Sequence, residues 1–229
     1  MADELNGAQR IRVWDIWVRL FHWSLAIAVL FQLLNGQTGW QFFQWHRQTG
    51  ELILALILFR VFWGIVGSSN ARLASLFRHP LSAWRHLRHL LGKSVTPERG
   101  HNAAGGWAVL IMLSLIAVQA LTGFFIADED ELIEGALYGK LSGGSTDLLY
   151  QVHRMNANLI QVVVAVHVLM VMIYLLYSGM NLIGPMVTGS MRWTSSITPP
   201  PVSFQKAWVG LSLVALSLAL VAWLAGWIG

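Results

Sequence analysis

Five stretches of the chain, roughly 15–36, 46–66, 104–126, 150–177 and 206–228, are almost continuously apolar, each close to the ~20 residues a helix needs to cross ~30 Å of hydrocarbon. They are rich in Leu and Ala and lack the period-two alternation of a membrane barrel strand, so the pattern predicts five transmembrane helices. The N-terminal MADELNGAQRIRVWDIW carries charges inside its first aromatic cluster and has no small-residue cleavage site, so the first span is expected to be retained. Between the second and third runs, PLSAWRHLRHLLGK puts Trp84, Leu87 and Leu91 on one helical face and Arg85, Arg88 and His89 elsewhere. That predicts an amphipathic helix near 80–92 lying on the membrane surface, with His79, His86 and His89 solvated or interfacial. RWTSSITPPP (192–201) reads as a loop whose prolines stop the fourth span. The expected fold is therefore all-α and integral to a membrane: a four-helix domain over 1–190, then a linker and an additional C-terminal helix over 191–229.

Composition sharpens the picture by exclusion. Of 229 residues 55% are apolar and 11% charged, with mean hydropathy +0.57, outside the range of a soluble domain. The 12 tryptophans and 10 phenylalanines gather near the ends of the apolar runs, where amphipathic rings prefer to sit. With no cysteine, disulfides, thiolate-ligated zinc, iron–sulfur clusters and covalent C-x-x-C-H haem are all excluded, so a bound metal must use His or carboxylate. The net charge of +4 does not point to nucleic acid, because its sign follows the connections. Arg72, Arg78, Arg85, Arg88, Lys93 and Arg99 oppose only Glu98 between spans two and three. Asp128, Glu129, Asp130, Glu131, Glu134 and Asp147 oppose only Lys140 between spans three and four. With Arg10 and Arg12 ahead of span one, the basic side is expected to be cytoplasmic, the N-terminus inside and the C-terminus outside.

Four histidines fall within spans or at their edges: His22, His46, His153 and His167. An ionisable residue in a span is a functional candidate by default. His153 and His167 are 14 residues apart, about 21 Å along one helix and about 40° short of the same face. Given the alternating directions of the spans, His46 and His153 lie toward the outer side and His22 and His167 toward the inner side. Two imidazoles facing each other across a bundle, with no cysteine and no further ligand of the zinc type, clamp a haem iron from both faces. Two pairs predict two non-covalent b haems stacked across the membrane.

Other residues fit that reading, each with an ordinary alternative. Gly50, one turn below His46, and Gly123, beside Thr122, would let a flat macrocycle lie against backbone, or serve plain helix packing. Arg60, expected at the inner level, and Arg19, one turn before His22, would pair with haem propionates, or snorkel to lipid phosphate. His46-Arg47-x-x-x-x-Leu52-Ile53 is echoed by His153-Arg154-x-x-x-x-Leu159-Ile160.

In these residues the chain resembles the prokaryotic transmembrane dihaem cytochromes b, the cytochrome b-561 group that includes superoxide oxidase and the cytochrome b subunits of nickel–iron hydrogenases. The resemblance is carried by VWDIWVRLFHW (13–23), WHRQTGELILALILFRVFWGIVGSSNAR (45–72), GHN (100–102), TGFFIAD (122–128), HRMNANL (153–159), His167 and NLIGPMVTG (181–189). It implies that His22 and His167 ligate one b haem and His46 and His153 the other. The family's proline after GHN is Ala103 here, and span five lies beyond the four-helix core. His101 would contact a quinone, relay protons or cap span three.

Two functions then compete. One is an electron-transfer subunit of the respiratory chain, joining quinone or quinol to an external redox protein such as a c-type cytochrome or a hydrogenase-like enzyme, with a homodimer left open. Six outer carboxylates against one lysine would steer a basic protein and repel a small anion. The other is an enzyme, a superoxide oxidase passing electrons to ubiquinone, in which Arg47 and Arg154 must overcome that field locally. No catalytic residue is assigned in either. A haem-free metal or proton transporter is disfavoured because Glu51 is the one carboxylate inside a span.

Overall fold

The computed structural model describes residues 9–38, 45–92, 98–128, 133–193 and 198–229. Seven helices are found among them: α1 (Ile16–Thr38), α2 (His46–Val66), α3 (Pro80–Leu91), α4 (Ala103–Gly123), α5 (Gly143–Leu176), α6 (Ile183–Thr188) and α7 (Ala207–Leu224). Five of them, α1, α2, α4, α5 and α7, are long and apolar enough to cross a membrane, as the apolar runs predict. In hydrocarbon every backbone N–H and C=O must be met within the segment, and a helix does this without help from neighbours. The result is a helical membrane bundle.

Differences from the sequence reading lie at the ends. Helix α5 starts at Gly143, seven residues before the apolar run, where the Ser142 carbonyl accepts from the amides of Ser145 and Thr146. At 34 residues it is about 51 Å long, more than the hydrocarbon requires, so its polar first turns extend past the apolar layer. Helix α7 stops at Leu224, ahead of a turn in which Gly226 has φ 73°. Helix α3 begins on Pro80 at its first position, and His79 caps it by accepting from the Leu81 amide at 3.2 Å. Four short strands are not foreshadowed by any alternation. Strand β1 (Gln9–Arg12) pairs antiparallel with β4 (Ser190–Trp193), so Arg192 and Trp193, expected in a loop, are in a strand. Residues 194–197 lie outside the described part. Strands β2 (Ala127–Asp128) and β3 (Ile133–Glu134) form a small antiparallel pair, while Glu129, Asp130 and Glu131 of the acidic connection, like Lys93 of the basic one, lie outside the described residues.

The chain divides into two compact units. The first comprises Met1–His22, Phe62–Leu110 and Ala165–Gly210. Its centre is Trp63, fully buried, whose indole donates to Asp15 Oδ2 at 3.2 Å. The other oxygen of Asp15 accepts from the Val18 amide at 2.9 Å, so one buried carboxylate starts α1 and anchors α2 to it. Gly189, at φ 81°, ends α6 in the left-handed region and offers its carbonyl to the amides of Val13 and Trp14 at 2.8 and 3.1 Å. A Cβ there would stand 2.9 Å from the Trp14 carbonyl, which explains the glycine of NLIGPMVTG. Trp17 donates to the Ala207 carbonyl at 3.0 Å and lies against Gly210, seating the first turn of α7. The second unit comprises Trp23–Val61, Ile111–Val164 and Leu211–Gly229. There Asn156, 4% exposed, donates to the Leu115 carbonyl and Gln119 Oε1, both at 2.8 Å, tying α5 to α4.

Candidate haem sites

In the first unit, α1 presents His22 and α5 presents His167, their ring centres 6.5 Å apart. In the second, α2 presents His46 in its first turn and α5 presents His153, with ring centres 6.3 Å apart. These two separations test the donor set. A metal held between two imidazoles on opposite sides, at about 2 Å per nitrogen and with about 1.1 Å from nitrogen to ring centre, sets the centres about 6.3 Å apart. A tetrahedral site would draw them to about 5 Å. Both separations would leave room for a haem iron held between the two imidazoles. Among the described residues no group of three or more His, Cys, Asp or Glu gathers as a metal site, so a tetrahedral zinc centre is not completed.

The second pair borders a cavity of about 410 Å³, lined in part by Val29, Ile53, Ile116, Phe124 and Ile160. Predominantly apolar walls with a few placed polar groups suit a macrocycle with charged edges. Gly50 and Gly123 both line this cavity. A Cβ on Gly123 would come 3.2 Å from His153 Cε1, so the glycine is what lets that ring pass. A Cβ on Gly50 would meet Gln32 Nε2 at an ordinary 3.5 Å, which makes this position the more tolerant. Asn35, 1% exposed on the cavity wall, has an amide nitrogen with no hydrogen-bond partner, as does the Gln32 amide oxygen. Buried polar atoms of this kind suit a polar group of a ligand or an ordered water.

Sequence reasoning noticed Thr122 only for its size. Its hydroxyl donates within the helix to the carbonyls of Val118 and Gln119 at 2.8 and 3.0 Å, and stands 2.9 Å from His153 Nδ1. In the tautomer with the hydrogen on Nδ1, His153 donates to Thr122 Oγ1 and keeps the Nε2 lone pair for a metal. Gln32 likewise steadies the first turn of α2 by donating to the His46 carbonyl at 2.8 Å. Neither contact follows from spacing along one helix, because each joins two.

The arginines part company. Arg60 is 3% exposed in α2, a burial that snorkelling to phosphate does not describe. Arg19 donates to the Val187 carbonyl at 2.6 Å and the Asp15 carbonyl at 3.4 Å, holding α6 to the start of α1. Arg47 is paired with Glu51 at 2.8 Å, and Glu51 also accepts from the Trp227 indole at 2.8 Å. Arg154 lies over the Tyr150 ring. The cap of α4 is Asn102, whose side chain accepts from the Gly105 amide at 2.7 Å, while His101 packs on Trp14 with ring centres 4.7 Å apart.

With this geometry in view, comparison with known proteins is specific. Over residues 13–189 the chain matches the prokaryotic cytochrome b561 family. It is also 24% identical over 214 residues, covering 79% of this chain and 88% of the other, to the probable Ni/Fe-hydrogenase B-type cytochrome subunit of Rhizobium leguminosarum bv. viciae. The matched region runs through both histidine pairs, and the chain belongs to the prokaryotic cytochrome b561 family of membrane b-type cytochromes that act in electron transfer.

Proposed function

We propose that the protein is a dihaem cytochrome b of the bacterial cytoplasmic membrane, carrying electrons between quinone or quinol and a redox protein outside. The observation that carries this reading is the pair of ring separations, 6.5 and 6.3 Å, each suited to bis-imidazole ligation. His22 and His167 would hold one haem and His46 and His153 the other. Haem b held by two imidazoles would supply one-electron chemistry there, favouring transfer over binding of a small ligand. The chain's own residues fix the ligands: Thr122 sets the tautomer of His153, Gln32 holds the turn that bears His46, and Gly123 gives the His153 ring its space. Arg60 and Asn35 are the polar groups assigned to the haem edges, whereas Arg19 serves the backbone of α6.

The basic connection is assigned to the cytoplasmic side and the acidic connection, with Asp128 and Glu134, to the outside. The hydrogenase-type relative supports a redox enzyme or cytochrome as the outer partner. The superoxide reading is less well supported, because the Arg47 charge it needs to attract an anion is neutralised by Glu51 at 2.8 Å. The deciding experiment counts haem: purified protein should hold two b haems per chain, both low-spin, reducible by a quinol analogue. One haem or none would overturn the dihaem reading.

A further inference from the structure

Outside the histidine pairs, a second polar cluster lies entirely within the first unit. Tyr174, seven residues beyond His167 on α5 and 5% exposed, has its hydroxyl 2.7 Å from His86 Nε2. Asn102 donates to the same hydroxyl at 3.2 Å, which leaves the Tyr174 hydrogen available to the His86 tautomer with a bare Nε2. The other imidazole nitrogen, Nδ1, faces Glu98 Oε1 at 3.7 Å. Glu98 is partly open to solvent and its Oε2 accepts from Arg78 at 2.7 Å, while the Arg78 carbonyl accepts from the Trp107 indole. Hydroxyl, imidazole and carboxylate thus follow one another from a buried position on a membrane helix to the surface. Both nitrogens of His86 face ionisable groups, although α3 reads in sequence as a surface helix with solvated histidines.

Resting on the quinone reading above, we propose that Tyr174, His86 and Glu98 form the route by which the protons of quinone chemistry pass between the membrane and the aqueous surface. For each quinol oxidised, two O–H bonds would break, the two electrons would be taken up singly by the haem that the histidine pairs would hold, and two protons would leave by this route. In each passage the Tyr174 oxygen takes a proton from the quinol as its own moves to His86 Nε2. The Nδ1 proton of His86 moves to Glu98, and Glu98 releases it to water. Rotation of the imidazole restores the starting tautomer, and quinone reduction runs the sequence backward. Burial, assisted by Arg78 and His89 and opposed by Glu98, holds His86 below the ordinary imidazole value, so it is neutral and able to accept.

The test uses the purified haem-loaded protein and decylubiquinol in a stopped-flow instrument. Tyr174→Phe, which keeps the ring, should slow haem reduction by the quinol at least about tenfold, toward the ~10²–10⁴-fold that positioned proton transfer contributes, with haem content and dithionite-reduced spectrum unchanged. His86→Ala should be slowed similarly and recover on addition of free imidazole, a rescue that a purely structural contact would not give. A carboxyl signal in infrared difference spectra, recorded while the haem is cycled electrochemically, should vanish in Glu98→Gln. Wild-type quinol rates in Tyr174→Phe and Glu98→Gln would overturn the route. If the wild type is not reduced by quinol at all, the quinone reading fails and the route with it. Should either core variant not assemble, the surface change Glu98→Gln decides by rate and infrared signal together.

Discussion

Thr122 on α4 and His153 on α5 form a hydroxyl–imidazole pair at 2.9 Å, in which the threonine accepts when His153 carries its hydrogen on Nδ1. Removing the acceptor with Thr122→Val should free the His153 ring to change tautomer and tilt. The expected result is about 10–100-fold weaker haem retention at one site, since supporting contacts of metal ligands have effects of that size. Titration of the apoprotein with hemin reads it directly, and unchanged affinity would mean that helix packing alone orients the ring.

The ligand pairing itself is open to a subtractive test. His167→Ala should remove one b haem and leave the other with its spectrum intact, because His22 has its partner ring in His167 and not in His153. Loss of both would show that the two sites assemble together.

Trp227→Phe should destabilise the protein by about 1.5–3 kcal/mol, the usual worth of a hydrogen bond to a charged group, because its indole serves the buried Glu51 carboxylate. Thermal unfolding in detergent measures this. The loss should be smaller in a Glu51→Gln background, where the acceptor carries no charge.

Stability should also depend on pH through His86. Its value is held below the ordinary 6.5, chiefly by burial, so the unfolded chain binds the proton more readily than the folded one. The contribution is complete above 6.5 and is lost as pH falls below it toward the folded value. His86→Phe should flatten this slope, as followed by melting temperature across mildly acidic buffers.

On the acidic connection, joint neutralisation of Glu129, Asp130, Glu131 and Glu134 should slow haem oxidation by a basic partner such as a c-type cytochrome. The effect should shrink as salt rises, because exposed charges are screened beyond ~10 Å at ~0.1 M. Quinol reduction should not change. An accelerated reaction with superoxide, without any protein-partner reaction, would favour the oxidase reading instead.

The spans were legible in the sequence because each depends on a single period, about 1.5 Å and 100° per residue along one helix. What escaped it depends on two or more segments at once. The β1–β4 ladder joins residues some 180 positions apart and shows no alternation, since Gln9–Arg12 and Ser190–Trp193 are mixed in polarity. Asp15 reads as one more charge before a span, yet its value comes from meeting Trp63. His86 looked like a surface histidine because α3 is amphipathic, and only the approach of Tyr174 from α5 gives it a buried partner. Arg19 lies one turn from His22 in sequence, yet it donates to a carbonyl on α6.

The bond from Trp227 to Glu51 bears on how the molecule is made. Segment α7 emerges from the ribosome after the other four spans, so Glu51 enters the bilayer with Arg47 as its companion and gains the indole last. A chain halted before α7 would keep its histidines but present a half-satisfied carboxylate at the cavity wall. The segment that follows the fifth span thus completes the polar partners of a carboxylate on the second.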